Sequence, residues 1–376
     1  MLQRYRSFPY LSYFFLCHFS LAVVFPIFSV LVFREELSSL IYTRAITLGL
    51  LIALFPLAQM ASGYLLLKTG AALRGARGEL LICAVLIFLS FIGLFVAIKI
   101  KNLSLLFLFR GLSGAAAGGL FLSENIIITG REDHVKAGRL LTILTGLGLM
   151  AGVLAGGFSD LLSLQSSVPF IIGCLLALIS ITALYMSGTP KIQPTVFHEK
   201  KSLTGGTFRS SFFFFAMSWL ATLQFFSLYV LELFSPFSSY TPLFLFMMSL
   251  VWLMGALSAK MLGGTFSKKT TLFFCLTSSF LMSLLIYFQQ FFVPSMFFHL
   301  VFCLYSGLAW SLFSRASHIS GSREALVQAF QNQKVALLAA TAAPLIMILF
   351  TSMNINDVYL SNLIMLGIST ILLILK

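Results

Sequence analysis

The chain has 376 residues, 59% of them hydrophobic and only 9% charged, with a mean hydropathy of +1.01 and a formal net charge of +13. A soluble domain carries about 25% charged residues, so this composition excludes a soluble enzyme and a nucleic-acid-binding domain. The apolar runs are long and continuous, with no alternation at period two, which excludes a membrane β-barrel.

A helical membrane span takes roughly 20 apolar residues. In chain order, such runs predict helices over 8–32, 44–66, 79–98, 103–129, 139–162, 167–187, 211–234, 242–262, 270–290, 294–318, 325–351 and 355–376. Arg4 and Arg6 precede the first run, which extends from Phe8 to Phe33 without a small-residue cleavage site. It reads as a retained span, not a secretion signal. The segment 188–209 holds two prolines, adjacent Gly205 and Gly206, and four basic residues. It reads as a cytoplasmic linker joining an N-terminal six-helix bundle (1–187) to a C-terminal one (210–376).

The basic residues orient this arrangement. With the N-terminus inside, 18 of the 24 Lys and Arg fall on cytoplasmic segments. Four (Arg34, Arg44, Lys99, Lys101) fall outside, and Arg110 and Lys334 lie within spans. Basic residues favour the cytoplasmic side, so twelve spans with both termini in the cytoplasm of a plasma (inner) membrane are expected. Cys17, Cys83, Cys174, Cys275 and Cys303 all lie in apolar runs without a CxxC pair, which predicts buried free thiols and neither metal nor cofactor.

A weak internal repeat follows the same order in both halves. Ser113-Gly114 in the fourth span answers Ser306-Gly307 in the tenth, and Gly130-Arg131-Glu132 answers Gly321 with Arg323-Glu324. Gly148-xxx-Gly152 answers Ala339-xxx-Ala343, and Gly63 with Lys68 answers Gly255 with Lys260. Parallel duplicated halves are a transporter architecture.

With these residues in view, the chain resembles the major facilitator superfamily, in particular its tetracycline and multidrug proton-antiporter branch. Arg110-xx-Ser113-Gly114 is similar to the fourth-span motif of that branch. Gly148-xxx-Gly152-Val153-xx-Gly156-Gly157 is similar to its fifth-span motif, with Val153 in place of proline. The loop motif after the second span persists as Gly63, Lys68 and Gly70, while Leu67, Ala71 and Ala72 replace its charged positions. The resemblance implies an all-α membrane fold of twelve transmembrane helices in two pseudo-symmetric six-helix bundles. It further implies a monomer that moves a small organic solute by alternating access, with proton-coupled efflux and no cofactor. Its partners would be the solute, protons and the lipid bilayer, with no nucleic acid.

Several side chains are candidates for that chemistry. Arg110 lies about seven residues into its span, where a guanidinium faces a cavity or snorkels to the outer headgroups. The resemblance links it to proton coupling. Glu124, fourteen residues on, lies about 21 Å along the helix; it is either a proton carrier or the partner of a loop cation. His18 is central in the first span, as a proton relay or a hydrogen-bonded structural group. Lys334, beside Gln331, is expected at mid-depth as a buried ammonium facing an anionic group. Gln59 and Gln224 are further cavity candidates, with Tyr13, Tyr229 and Trp252 as possible aromatic walls. Gly114, Gly118, Gly148, Gly152, Gly156 and Gly157 form stripes that let helices approach closely, by static packing or as sliding contacts. A facilitator, a proton symporter, a polytopic membrane enzyme and a non-transporting scaffold stand as alternatives. No HExxH, GxSxG or P-loop supports an enzyme.

Overall fold

A computed structural model of the chain describes residues 8–24, 41–69, 76–129, 134–161, 168–186, 206–262, 267–315, 333–346 and 357–375. In chain order the helices are α1 (Phe8–Val23), α2 (Ile41–Thr69), α3 (Ala76–Lys99), α4 (Leu103–Thr129), α5 (His134–Leu161) and α6 (Val168–Met186). They continue as α7 (Gly206–Leu233), α8 (Thr241–Leu262), α9 (Lys268–Phe288), α10 (Phe292–Arg315), α11 (Gln333–Ile346) and α12 (Asp357–Ile374). Among the described residues twelve helices stand where twelve spans are predicted, and nine of them are long and apolar enough to cross a membrane. A short 3-10 turn, Ser235–Tyr240, joins α7 to α8 and has no counterpart in the sequence-based expectation.

Local chemistry sets the ends. Pro169, Pro242 and Pro294 each occupy the first turn of a helix, where a missing N–H breaks no intrahelical bond. Between α3 and α4 only three residues intervene. Lys101 takes a left-handed φ of 52°, and the N–H groups of Lys101 and Asn102 donate to the carbonyls of Ile98 and Ala97. That closes α3 in a Schellman-type cap. The Asn102 side chain then accepts from the Leu105 N–H at 3.0 Å and starts α4.

Helix faces are distributed as in a lipid-embedded bundle. On α3, Ile82, Val85, Leu89, Ile92 and Val96 are exposed at three- and four-residue spacing, while Leu80, Ala84, Ile87, Phe91 and Leu94 are buried. The exposed stripe is as apolar as the core. In water it would aggregate; facing acyl chains it needs no cover. The chain is a multi-pass membrane protein.

The helices cluster into two compact units. One contains α1, α2 from Leu54 onward, and α3 to α6; the other contains α7 to α12 and takes in residues 41–53. Within the first unit, α1 packs on α6, and α3 packs on α4 and α6. Within the second, α7 packs on α12, and α9 packs on α10 and α12. Each pairing recurs six helices later, so the repeat is present in packing as well as in sequence.

The repeat extends to glycine contacts, with a shift of register. A Cβ built on Gly114 of α4 would lie 2.3 Å from the Phe55 carbonyl oxygen of α2. One on Gly307 of α10 would lie 2.0 Å from the Trp252 carbonyl oxygen of α8. Only glycine permits either approach. Phe55 is eight residues before Gly63, but Trp252 only three before Gly255, so the two helix pairs meet about one turn apart.

Candidate functional site

Helix α1 is the hub of the first unit. Tyr13 Oη donates to the Leu80 carbonyl of α3 at 2.5 Å. Cys17 Sγ and Ser20 Oγ reach Ser180 Oγ and the Gly173 carbonyl of α6, at 3.5 and 2.8 Å. Residues 13, 17 and 20 share one face at helical spacing. On another face, the glycines of α5 allow backbone contact. A Cβ on Gly148 would lie 2.6 Å from the Phe15 carbonyl oxygen, and one on Gly152 would lie 2.5 Å from that of Phe19. Gly156 and Gly157 continue the stripe and are buried.

With α1 held on those faces, His18 meets α4. Its Nε2 lies 2.5 Å from Glu124 Oε1, and the two side chains are only 14% and 8% exposed. In the sequence the imidazole and the carboxylate are alternative proton acceptors 106 residues apart. The structure makes them one hydrogen-bonded pair. Glu124 is thus matched with His18, and this contact replaces the reading in which it turned to a loop cation. An imidazole touching a carboxylate can carry its shared proton neutrally or as an ion pair, and can take up or release one at either group.

Arg110, about four turns from Glu124 along α4, lies in a different setting. It is buried, at 6% exposure, with its guanidinium carbon 4.6 Å from the centre of the Phe55 ring. The cause is local: Gly114, one turn along, lets the α2 backbone close in at Phe55, which brings that ring beneath the guanidinium. A cation over an aromatic face in a dry setting is worth up to about 2 kcal/mol. Phe55 is absent from the sequence-derived candidates because one Phe among 41 carries no signal of its own. Phe55→Leu is expected to keep the apolar volume and lose the quadrupole. Its melting temperature, followed by a thiol-reactive dye in detergent, should fall by about 2–4 °C.

Other candidates are placed less centrally. Lys334 is exposed on α11, where a buried ammonium was the expectation. Tyr13 and Tyr229 are wholly buried and hydrogen-bonded within their own units, so they are core groups and not cavity walls. Trp252 stacks on Trp219 with ring planes 10° apart. Gln59 uses its backbone carbonyl to accept from Ser62 Oγ, and a Cβ on Gly118 would come within 2.3 Å of that same oxygen. Gln224 Nε2 donates to the Ala340 carbonyl at 3.5 Å, while its Oε1 has no partner among the described residues. Gly63 is buried and Lys68 exposed. Gln331 and Gly70 lie outside the described residues. Among the described residues, no cluster of His, Cys, Asp or Glu could hold a metal ion.

A second imidazole escaped sequence reasoning. His299 of α10 is fully buried, and its Nε2 lies 2.5 Å from Tyr359 Oη of α12. A lone histidine inside an apolar run was the only signal for it.

No family model matches the sequence, and a search of curated proteins found no match. Solved structures do match. An inward-facing, occupied bacterial homologue of the human lysosomal transporter Spinster superposes with a TM-score of 0.74 at 14% identity, covering 99% of this chain and 96% of that one. A D-xylose–proton symporter gives 0.72 at 13% identity, and the nucleoside transporter NupG gives 0.69 at 15%; each covers 98% of this chain and 96% of its own. The chain has the major facilitator fold. Identities this low carry the fold and not the cargo. Within the first unit the His18–Glu124 contact joins α1 to α4.

Proposed function

We propose that this protein is a secondary transporter that moves a small organic solute by alternating access, coupled to protons, in the direction of efflux. The carrying observation is the His18–Glu124 pair at 2.5 Å, nearly sealed between two helices of an apolar bundle. A charge at membrane depth costs several kcal/mol unless it is used or compensated. A static ion pair brings little net stability over apolar packing, so stability alone is a poor reason to keep one. A pair that gains and loses a proton as the bundle changes its access needs both partners.

Arg110 supports this reading from α4. It stays cationic through the cycle and biases the field along the helix without exchanging protons itself. The bundles proposed from the linker at 188–209 would alternate access to the solute, with both termini in the cytoplasm. The fold alone is equally compatible with a facilitator or a symporter; the paired titratable groups favour coupling. The resemblance of Arg110-xx-Ser113-Gly114 to the antiporter branch favours export.

The test is flux in proteoliposomes across a panel of organic acids, amines and neutral metabolites, with and without an imposed pH gradient. At least one solute is expected to exchange against protons, with accumulation that collapses when the gradient is dissipated. Saturable flux that ignores the gradient would replace coupling with facilitated diffusion, and no flux of any solute would remove the transport reading.

A further inference from the structure

The second unit holds an imidazole wired in the opposite way to His18. His299 Nδ1 lies 2.7 Å from the Ser295 carbonyl oxygen of its own helix. A carbonyl only accepts, so Nδ1 carries the hydrogen. In a neutral ring Nε2 is then the acceptor, and it receives the Tyr359 hydroxyl from α12 at 2.5 Å. The Ser295 side chain in turn pairs with Tyr229 Oη of α7 at 2.9 Å. Phe226 and Tyr229 of α7 and Tyr359 of α12 close round the ring with centroids 5.1, 5.3 and 5.4 Å from it. Every hydrogen-bonding atom of the neutral imidazole is satisfied, and the side chain is 0% exposed.

A proton added at Nε2 would break this arrangement. Tyr359 would have to turn from donor to acceptor, leaving its own hydrogen without a described acceptor. Among the described residues the cation would also meet no countercharge: Glu232 of α7 and Asp357 of α12, the carboxylates on the two helices that close round the ring, make no ion pair with it. The titratable groups facing it are Tyr229 from α7 and Tyr359 from α12, with Cys303 one turn along α10. Among the described residues, α8 and α9, which also pack on α10, bring no carboxylate, lysine or arginine to the ring. An unpaired charge in such a setting is strongly disfavoured. His18, by contrast, faces a carboxylate, which supports either protonation state.

We propose that His299 is a non-titrating clamp, held neutral in a single tautomer across α7, α10 and α12, so that it takes no part in the proton response proposed for the His18–Glu124 pair. The role of that pair rests on the proposed function; the neutral state of His299 does not.

The test is nitrogen NMR of the full-length protein, labelled with 15N-histidine and reconstituted in nanodiscs, between pH 5 and 9. The signal lost in His299→Gln, or displaced in Tyr359→Phe if that first variant fails to fold, identifies the residue among the five histidines. Its two nitrogens should keep the shifts of a neutral, Nδ1-protonated ring across the whole range. Tyr359→Phe should lower the melting temperature by about 2–4 °C and leave the pH midpoint of flux in place. A His299 signal that moves to imidazolium values within that range, or a flux midpoint displaced by Tyr359→Phe, would overturn the clamp. A pH-independent flux with an unmoved His299 signal would instead remove the role of the first-unit pair and leave the clamp standing.

Discussion

Glu124→Gln is expected to abolish accumulation driven by a pH gradient while leaving downhill exchange within about twofold of the unmodified protein. The amide matches the carboxylate in shape and still offers His18 a hydrogen bond, so the contact between α1 and α4 persists. What disappears is the group that binds and releases the proton. One pH unit corresponds to about 1.4 kcal/mol, or about tenfold accumulation per coupled proton. In inverted vesicles with an acidic lumen, a gradient of one unit should therefore concentrate the solute about tenfold through the unmodified protein, and hardly at all through Glu124→Gln. His18→Gln should show the same split, because either substitution breaks the shared-proton pair. Glu124→Ala is a different experiment. It leaves the imidazole facing a void, and loss of a buried partner costs about 3–5 kcal/mol when the remaining group is charged. Poor yield of that variant would speak to stability and not to coupling.

The second large effect concerns close helix approach. Gly152→Leu is expected to reduce flux more than tenfold and to lower the yield of folded protein. Its first added carbon would already lie 2.5 Å from both the Phe19 carbonyl oxygen and the Ala22 Cβ, so α5 must move off α1. Overpacking of this kind costs about 1–3 kcal/mol even where neighbours can yield, and backbone yields least. The displacement would also disturb the α1 face from which His18 reaches Glu124. Gly111→Ala is the control. Its nearest neighbour is Leu54 at 3.7 Å, an ordinary contact, and flux and melting temperature should stay unchanged. Size-exclusion profiles and flux of the two variants side by side separate a packing requirement at one glycine from a general intolerance of α4 and α5.

The helices were legible because the bilayer imposes one simple demand, a continuous apolar run of sufficient length. The predicted fourth helix coincides with Leu103–Thr129, and the others lie within about five residues of theirs at the described ends, except α1, which closes at Val23 where the run predicts 32. The duplication was legible for a related reason, since small residues recur where backbones touch, as Gly114 and Gly307 do. Pairing between distant helices was not. His18 and Glu124 were each visible as polar residues in apolar surroundings, yet nothing local to either could show that the register of α1 on α4 brings them together. Phe55 beneath Arg110 is hidden by abundance, and the clamp at His299 by its need for partners on three helices. Lys334 shows the opposite failure. Depth counted along a predicted run says how far a residue lies from an end but not which way its side chain leaves the helix.

Proton-coupled transport requires the His18–Glu124 pair to exchange its proton against the solute. The most direct measurement uses purified protein in weakly buffered detergent solution with a pH indicator, with solute from the flux panel added and proton release read as it binds. The unmodified protein is expected to release protons on solute binding near neutral pH, and Glu124→Gln is expected to bind the same solute and release none. Equal proton release from Glu124→Gln would contradict the account and place the exchanging proton on another group.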